Sequence, residues 1–255
     1  MTRLFENVKV ISNEIVAAGV YSMMVYAPVT VRAARPGQFV HLKLNQLTAP
    51  LLRRPLSIAG ANPATGEMLL IYRVVGEGTE LLSRVLPGGE LDSLGPLGTS
   101  FAFDGRRPLL VGGGVGLAPL LYLAGELCPR PIEVVMGGRT REDMFWPDLF
   151  TASCEKVHVT TDDGTLGTQG FAADILPELL AGGSYDYIYT CGPQPMMAAV
   201  ARVARQHNIP CQASLEEYMA CGVGGCLVCT CAGSDGKRRK VCTDGPVFMA
   251  EEVLF

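Results

Sequence analysis

The sequence predicts a multidomain chain with an antiparallel β-barrel first, an α/β parallel-sheet domain second and a small C-terminal module last. Three observations predict it. Short runs of β-branched and aromatic residues, separated by turn signals, fill residues 1–102. Apolar strands then alternate with helical segments over residues 103–212. Residues 213–255 are rich in glycine and cysteine. We therefore expect three domains with these limits.

Composition excludes several classes of protein. The chain has 255 residues, 48% hydrophobic and 18% charged, which suits two domains with an appendage and excludes a disordered protein. Its formal net charge of −4 lacks the basic footprint of a nucleic-acid-binding protein. No run approaches the roughly 18–20 apolar residues that span a bilayer, and MTRLFENVKV has no apolar signal segment. We expect a soluble, cytoplasmic protein that binds neither nucleic acid nor membrane.

The first part should be a small barrel or sandwich of antiparallel strands. Its β-rich runs include Tyr21–Tyr26, Phe39–Leu44 and Met68–Val75. Turn signals such as Pro36-Gly37 and Pro87-Gly88-Gly89 separate the runs. Several short strands at such spacing are typical of closed or two-layered β structures.

The second part should be a parallel sheet with crossover helices, because strands and helices alternate along it. The boundary with the first part falls in Phe101–Arg107. The predicted elements are, in chain order, strand Pro108–Val111, helix Pro119–Leu127, strand Ile132–Met136, strand Val157–Thr161, strand Tyr185–Thr190 and helix Pro195–His207.

The C-terminal cysteines have the spacing of a metal cluster. Cys221, Cys226 and Cys229 follow the pattern C-x4-C-x2-C, and Cys242 follows after twelve further residues. Plant-type [2Fe–2S] proteins use this pattern with a distant fourth cysteine. Three glycines between the first two cysteines lack a Cβ, so the loop can approach a cluster closely. The pattern predicts an electron-transfer protein that binds [2Fe–2S] through these four thiolates.

Other interpretations of these cysteines stay open. Structural zinc usually shows two C-x2–4-C pairs, and one such pair is present here. Chance clustering of buried thiols is opposed by the glycines at 222, 224 and 225. Cys231 could replace Cys229 as a ligand, because residues i and i+2 of a strand share one face. We interpret Cys231 as a spare buried thiol.

A strand, a glycine turn and a helix open the second part. Leu109–Val111 leads into Gly112-Gly113-Gly114-Val115-Gly116, and the predicted helix follows. Such a turn presents backbone N–H groups to a phosphate, and the helix dipole favours the anion. The order GGGVG differs from the GxGxxG dinucleotide fingerprint, and a glycine-rich turn also occurs without a ligand. In this context the turn predicts a nucleotide domain.

Three further segments lie at the edge of the sheet where open α/β folds bind their ligands. They are Gly137–Thr140, Thr160–Gly164 and Cys191–Pro195. Asp162 and Asp163 would repel a 2′-phosphate and accept from a ribose hydroxyl, which favours NADH over NADPH. Alternatively, these carboxylates cap a turn.

Another set of residues, in the first part, suits a flavin dinucleotide. Arg53-Arg54-Pro55-Leu56-Ser57 offers guanidinium donors for a pyrophosphate and a hydroxyl for a flavin ring. Ile71-Tyr72-Arg73 and Gly76-Glu77-Gly78-Thr79 follow, and the latter offers backbone and hydroxyl donors to the same phosphates. Each segment alone is equally compatible with a solvated face or a turn.

The order of these motifs, with GGGVGLAP and CGPQPMM, resembles the ferredoxin–NADP⁺ reductase superfamily, in which a flavin-binding barrel precedes a nicotinamide domain. The resemblance covers essentially the whole chain. Within the superfamily, the chain is most similar to the electron-transfer subunits of NAD-dependent, class 1B dihydroorotate dehydrogenases. That similarity is carried by RRPLSI, YRVVGEGT, SLEEYMACGVGGCLVC and VCTDGPVF.

The resemblance implies the residues of three cofactor sites. Many relatives have a tyrosine stacked on the flavin where Leu56 stands. The segment VCTDGPVF supports Cys242 over Cys231 as the fourth cluster ligand, and Cys191 would lie near the nicotinamide. The implied FAD residues are Arg54, Pro55, Leu56, Ser57, Ile71, Tyr72, Arg73, Gly78 and Thr79. The implied NAD residues are Gly112, Gly113, Gly114, Gly116 and Cys191, and the implied cluster ligands are Cys221, Cys226, Cys229 and Cys242.

The resemblance also implies a function. Electrons from dihydroorotate would pass from the FMN of a separate catalytic subunit through [2Fe–2S] and FAD to NAD⁺, in de novo pyrimidine (UMP) biosynthesis. A one-electron cluster can join two flavins, because flavins handle one or two electrons. A two-plus-two heterotetramer is implied by the resemblance alone. The alternatives are a bifurcating or hydrogenase-associated NAD(P)H-linked reductase subunit, and a metal-stabilised binding protein without a redox role.

Few other residues are candidates for a chemical role. No pair of catalytic acid and base residues is expected. His41, His158 and His207 each stand alone in apolar or helical surroundings, which favours core or surface positions. The basic run Lys237–Lys240 is interpreted as the exposed return of a hairpin, with a docking patch for the partner as the alternative.

Overall fold

The computed structural model describes residues 4–44 and 50–255, which form a closed β-barrel, a seven-stranded sheet and a two-stranded sheet. The barrel strands are β1 (Leu4–Ala17), β2 (Val20–Tyr26), β3 (Phe39–Leu44), β4 (Arg54–Asn62), β5 (Glu67–Arg73) and β6 (Glu90–Leu97). Two short helices accompany the barrel, α1 (Pro28–Ala33) and α2 (Glu77–Ser83).

The barrel strands all pair antiparallel, in the order β1-β2-β5-β4-β3-β6, and β6 closes the barrel on β1. Side chains of a strand alternate between its two faces, so every second residue points inward. Val8, Val25, Val40, Ile58 and Leu70 are such residues, and each is fully buried in one apolar core. The predicted antiparallel barrel is confirmed, and the alternative of a sandwich is wrong.

The strands of the second sheet are β7 (Pro108–Gly113), β8 (Glu133–Gly138), β9 (Lys156–Thr161), β10 (Thr168–Gln169), β11 (Tyr187–Cys191), β12 (Cys211–Ser214) and β15 (Val247–Met249). They lie in the order β10-β9-β8-β7-β11-β12-β15, and the first six in this order are parallel. The helices around it are α3 (Leu117–Leu127), α4 (Pro147–Phe150), α5 (Leu176–Gly182) and α6 (Gln194–Gln206).

The central strand β7 is buried on both faces. Leu110 belongs to the apolar core under α3, whereas Leu109 belongs to the core under α6. An uninterrupted apolar run is what a parallel strand covered by helices on both sides requires. The predicted α/β parallel sheet is therefore confirmed.

The C-terminal segment forms a glycine-rich loop, a hairpin and a return strand. The hairpin joins β13 (Thr230–Ala232) to β14 (Arg238–Lys240), which confirms that the basic run is a hairpin return. Asp235 in the turn pairs with Arg239 at 2.9 Å and with Lys237 at 3.9 Å. The two ion pairs partly neutralise the run.

The return strand β15 was not predicted. It pairs antiparallel with β12, so the C-terminal segment completes the sheet of the preceding domain. Strand β12 also crosses the predicted limit at residue 212. The three predicted domain limits stay predictions, because shared strands give no sharp division here. A strand of three residues is too short to show a periodic pattern in the sequence.

The barrel and the seven-stranded sheet pack directly on each other. Helix α3 lies against β4, and its Tyr122 donates a hydrogen bond to the Ala34 carbonyl at 3.2 Å. The Tyr189 hydroxyl oxygen lies 2.7 Å from the carbonyl oxygens of both Ala102 and Asp104, and its one hydrogen is shared between them. This contact fixes the linker between the two domains. Across the described residues, no helix has the length and apolar character needed to cross a membrane.

Candidate cofactor sites

The four predicted cluster cysteines meet as two pairs of thiols. Cys221 lies within hydrogen-bonding reach of Cys226, and Cys242 within reach of Cys229. In the described part of the chain, no three His, Cys, Asp or Glu side chains converge closely enough to hold a single metal ion. Two thiolates for each of two irons is the ligand set that a [2Fe–2S] cluster needs, so the paired thiols fit this group.

Backbone N–H groups of the loop already point at a sulfur atom. The Cys221 Sγ accepts from the N–H of Val223 at 3.4 Å and of Gly225 at 3.3 Å. Burial opposes ionisation of Cys221, but these donors and Cys226 outweigh it and lower the pKa of the thiol to about 6. By contrast, burial and the neighbouring Cys229 thiol raise the pKa of Cys242 to about 12. Donors of this kind stabilise a thiolate ligand and tune the metal group that it binds.

The loop needs glycine at two positions for its shape. Gly222 and Gly224 have φ of +67° and +84°, a region in which residues with a Cβ are strained. A Cβ at Gly222 would also lie 2.6 Å from His41 Nδ1 of the barrel, and one at Gly224 would lie 2.9 Å from Thr243. The glycines thus allow the loop to lie flat between the barrel and the end of the hairpin.

Cys231 lies near Cys229 but belongs to neither of the two thiol pairs. It stands in β13 opposite Arg239 and is 7% exposed, within the apolar core beneath the hairpin. Burial raises the pKa of its thiol. These features suit a spare buried cysteine, and its role stays a prediction.

The predicted flavin strand β4 presents alternate residues to the outside of the barrel. Pro55 and Ser57 are half-buried and pair with His41 and Phe39 of β3, so these four side chains share the outer face. Leu56 points inward and is 8% exposed within the barrel core. Its side chain is therefore turned away from a flavin, and only its backbone can contribute.

Arg54 and Gly78 form a cradle at the end of β4. The Arg54 guanidinium donates to the Leu52 carbonyl and lies so close to Gly78 that a Cβ there would collide with it. The Thr79 hydroxyl accepts from the N–H of Val75 at 2.9 Å and donates to the Gly76 carbonyl at 3.0 Å. The Thr79 hydroxyl, which was expected to donate to a phosphate, is therefore already used to close the turn. The adjacent backbone N–H groups are still suited to phosphates.

The segment Ile71-Tyr72-Arg73 divides between core and surface. The Tyr72 ring is 2% exposed, and its hydroxyl donates to Asn13 Oδ1 at 3.0 Å. Ile71 is 4% exposed in the core under α3, so both residues can serve a flavin only through their backbone. The Arg73 guanidinium reaches Asp143 of the α/β domain at 3.4 Å and bridges the two domains.

The glycine turn after β7 fits closely against the end of β11. Gly112 pairs with Cys191 in register, and Gly114 has a φ of +56°. A Cβ at Gly116 would lie 2.5 Å from the Cys191 carbonyl oxygen, and one at Gly113 would lie 3.0 Å from Met196 Sδ. The turn leads through one 3₁₀ turn into α3, an eleven-residue helix. Its arrangement fits the predicted nucleotide site.

Cys191 is buried at the end of β11, and burial and Glu216 together raise the pKa of its thiol to about 12. Ser214, its register partner on β12, hydrogen-bonds to it. Glu216 is exposed nearby, yet partial desolvation by the surrounding chain raises the pKa of its carboxyl. Neither Ser214 nor Glu216 was predicted from the sequence. Their position at the end of β12, with Ser214 as its last residue and Glu216 two residues beyond it, is the signal that could have found them.

The two aspartates expected to select NADH differ in their contacts. Asp163 accepts from the N–H and the hydroxyl of Thr165, at 3.0 and 2.7 Å, and so caps a turn. These hydrogen bonds lower the pKa of its carboxyl. Asp162 is exposed at the same edge of the sheet. The preference for NADH stays a prediction that depends mainly on Asp162.

The comparisons with known proteins agree on one family. A family model described as the iron–sulfur cluster binding domain of dihydroorotate dehydrogenase B matches residues 216–254. Two curated relatives, from Geobacillus thermodenitrificans (strain NG80-2) and Bacillus caldolyticus, are named dihydroorotate dehydrogenase B (NAD(+)), electron transfer subunit. They are 41% and 42% identical to this chain over 257 residues, and each alignment covers 98% of both proteins.

A solved structure of NADH-dependent reduced ferredoxin-NADP oxidoreductase contains a similar chain, with 33% identity and a TM-score of 0.87. The match covers 96% of this chain and 89% of that one. The sequence therefore agrees with the curated relatives over almost their whole length, and the fold agrees with the solved chain over most of its length. The chain belongs to the family of the electron transfer subunits of dihydroorotate dehydrogenase B.

Proposed function

We propose that this chain is the oxidoreductase subunit that passes electrons from the FMN of a dihydroorotate dehydrogenase catalytic subunit to NAD⁺. The route runs through a [2Fe–2S] cluster and FAD, in de novo pyrimidine biosynthesis. One observation carries the proposal. The cysteine loop lies against His41 of β3, and His41 pairs with Pro55 of the flavin strand β4. The cluster and flavin sites therefore adjoin on one face of the barrel.

FAD would be held by the outer face of the barrel. Arg54 would contact the pyrophosphate, together with backbone N–H groups of Gly78 and Thr79. Pro55 and Ser57 would face the flavin ring, while Leu56, Ile71 and Tyr72 would contribute backbone groups. Arg73, between the two domains, would neutralise charge near the phosphates. When bound, a flavin couples one-electron transfer to hydride transfer.

NAD would be held by the turn of Gly112, Gly113, Gly114 and Gly116, whose N–H groups suit its pyrophosphate. The neutral, buried thiol of Cys191 would form part of an apolar wall near the nicotinamide. Such a wall excludes water from the place of hydride transfer. NADH rather than NADPH is the expected form.

The catalytic subunit would dock over the cysteine loop. Cys226 is exposed, and the next two residues, Leu227 and Val228, are 63% and 49% exposed. Tyr218, which precedes the loop in the chain, is 89% exposed. Apolar groups at this density on a surface commonly mark a protein interface. The cluster would thus face the partner, in a two-plus-two heterotetramer. The cytoplasm suits this function, because all nine cysteines are free and thiolate ligands need a reducing compartment.

The test is to co-express the chain with the FMN-containing catalytic subunit. The expected complex has flavin and cluster absorption bands that bleach with NADH, and it reduces NAD⁺ with dihydroorotate. Cys226→Ser should remove the iron and abolish transfer from dihydroorotate, while NADH still reduces FAD. Cys231→Ser is the matched control and should keep its iron. A colourless complex, or iron loss in Cys231→Ser alone, would contradict the proposal. The mass of the intact complex tests the stoichiometry.

A second function is favoured by the similarity to the chain from the NADH-dependent reduced ferredoxin-NADP oxidoreductase. In that case the chain would be an NAD(P)H-linked flavin and iron–sulfur subunit of a bifurcating complex. The same purified complex separates the two functions. Electron transfer to NAD⁺ from reduced ferredoxin, with none from dihydroorotate, would favour the second.

A further inference from the structure

His41 lies between the barrel and the cysteine loop. Its strand β3 alternates, with Val40 and Leu42 in the barrel core and Phe39 and His41 on the outer face. Leu94, which pairs with His41 on β6, belongs to the same apolar core as Cys229 and Cys242. The cysteine loop therefore covers the imidazole.

The ring is oriented with one nitrogen toward the loop. A Cβ at Gly222 would lie 2.6 Å from Nδ1 and 3.2 Å from Cε1 of His41. The glycine follows Cys221 directly, so the Nδ1 edge faces the beginning of the cysteine loop. No bulkier residue fits at this position, because it would displace the ring.

The imidazole is fully buried, at 0% exposure, and neither ring nitrogen has a hydrogen-bond partner within the described residues. Burial and the nearby Arg53 lower the pKa of His41 to about 4. A neutral imidazole has one N–H donor and one acceptor, and leaving both unused in an apolar site is unfavourable. Most buried polar groups in proteins are hydrogen-bonded, so a buried imidazole without a protein partner calls for a specific explanation such as a redox role.

We propose that His41 donates a hydrogen bond from Nδ1 to a sulfur atom of the [2Fe–2S] cluster, and thereby raises the reduction potential of the cluster. This inference rests on the cluster site proposed above. The acceptor would be a sulfur atom on the side of the cluster nearest to Cys221. Reduction adds negative charge to the sulfur atoms, so a donated hydrogen bond stabilises the reduced form more than the oxidised form.

The first experiment measures the contact itself. The chain has three histidines, and His158 is engaged with Glu133 on the α/β sheet. The holoprotein is prepared with ¹⁵N-histidine, reduced by one electron, and examined by pulsed EPR. A ¹⁵N hyperfine coupling to the cluster spin is expected, and it should disappear in His41→Leu. Absence of a coupling in the wild-type protein would overturn the proposal, whether or not the variant folds.

The second experiment measures the potential. His41→Leu removes the donor and should lower the cluster potential, with about a tenfold fall in the ratio of reduced to oxidised cluster, or 59 mV for a one-electron couple. Ser93→Ala is the matched control, because Ser93 is equally buried and also lacks a hydrogen-bond partner in residues 4–44 and 50–255, but it faces the barrel interior with Leu42. Its cluster potential should not change.

Iron and sulfide content separate this inference from the proposed function. Wild-type protein without iron would contradict the function and the inference together. Fully loaded His41→Leu with an unchanged cluster potential would overturn the inference alone. A shift confined to the flavin potential would also overturn it, because the ring would then serve the flavin through Nε2.

Discussion

The two edges of the seven-stranded sheet differ in how far their polar side chains are hydrogen-bonded. At the edge where the parallel strands begin, Glu133 has three hydrogen-bond partners. At the edge where they end, the Thr190 hydroxyl has no hydrogen-bond partner in the described chain. Glu133 accepts from Arg107 at 3.0 Å, lies 2.7 Å from His158 Nε2, and hydrogen-bonds to Tyr185. The opposite edge holds the glycine turn and Cys191 instead. A polar cluster in which every group is hydrogen-bonded stabilises the fold. An edge that presents backbone N–H groups is instead suited to a ligand.

The largest effect is expected at the edge of the sheet that holds the glycine turn, and it is a loss of activity with NADH. Gly116→Ala places a Cβ 2.5 Å from the Cys191 carbonyl oxygen and forces the turn away from β11. We expect kcat/KM for NADH to fall about a hundredfold, since a misplacement of about 1 Å commonly costs that much. Steady-state kinetics with a dye acceptor measures it.

Gly125→Ala on α3 is the control for that prediction. Apart from the backbone of its own helix, no described residue has an atom within 4 Å of a Cβ at Gly125. Alanine is also a better helix former than glycine, so the variant should be at least as stable as the wild-type protein. Equal loss of activity in both variants would show that the close fit of Gly116 is not the cause.

The next largest effect is expected on stability, at the opposite edge of the sheet, where Glu133 is fully hydrogen-bonded. Glu133→Gln removes the carboxylate from Arg107 and His158 in a site where Glu133 is 6% exposed. We expect a loss of about 2 kcal/mol in the free energy of unfolding, at the low end for a buried pair because Arg107 is partly exposed. Urea unfolding of the apoprotein measures it. The exposed pair of Glu80 and Arg84 is the control, and Glu80→Gln should change stability by less than about 0.5 kcal/mol.

A third prediction concerns pH. Burial opposes ionisation of Glu133, but hydrogen bonds from His158, Tyr185 and Arg107 outweigh it and lower the pKa of this carboxyl below its ordinary value of 4.5. A carboxyl with a lowered pKa in the folded state stabilises the fold above its ordinary pKa and loses that contribution as the pH falls. The stability difference between the wild-type protein and Glu133→Gln should therefore shrink below pH 4.5. A difference that grows in acid would contradict it.

The smallest effect concerns the unpartnered hydroxyl. Thr190→Val keeps the shape of the side chain and removes an oxygen that has no hydrogen bond in the described chain. We expect the free energy of unfolding to stay the same or rise by up to about 1 kcal/mol. A loss of unfolding free energy comparable with that of Glu133→Gln would contradict the comparison, because it would show that the Thr190 hydroxyl is as well hydrogen-bonded as Glu133.

Much of the fold could be predicted because its signals are local. Short β-rich runs between turns indicated the barrel strands, and the apolar run of β7 indicated a covered parallel strand. The cysteine spacing indicated the cluster loop for the same reason, since three of its ligands lie within one short segment. The assignment of individual cofactor residues stays a prediction.

Other features depend on segments that are far apart in the chain. Closure of the barrel requires β1 to meet β6, and the short β15 acquires a partner only when β12 is in place. Thr79 and Asp163 looked like ligand donors or acceptors in the sequence, but their hydrogen bonds close turns. Local patterns cannot reveal which polar groups are already satisfied.

The sequence by itself determined the order of the domains and the cysteine and glycine motifs, because periodicity and spacing are properties of neighbouring residues. For His41 it predicted only an ordinary core or surface position. Only the tertiary structure decided that this ring lies against Gly222, with neither nitrogen hydrogen-bonded to a residue that the structure describes. Burial and hydrogen bonding depend on which distant segments pack together.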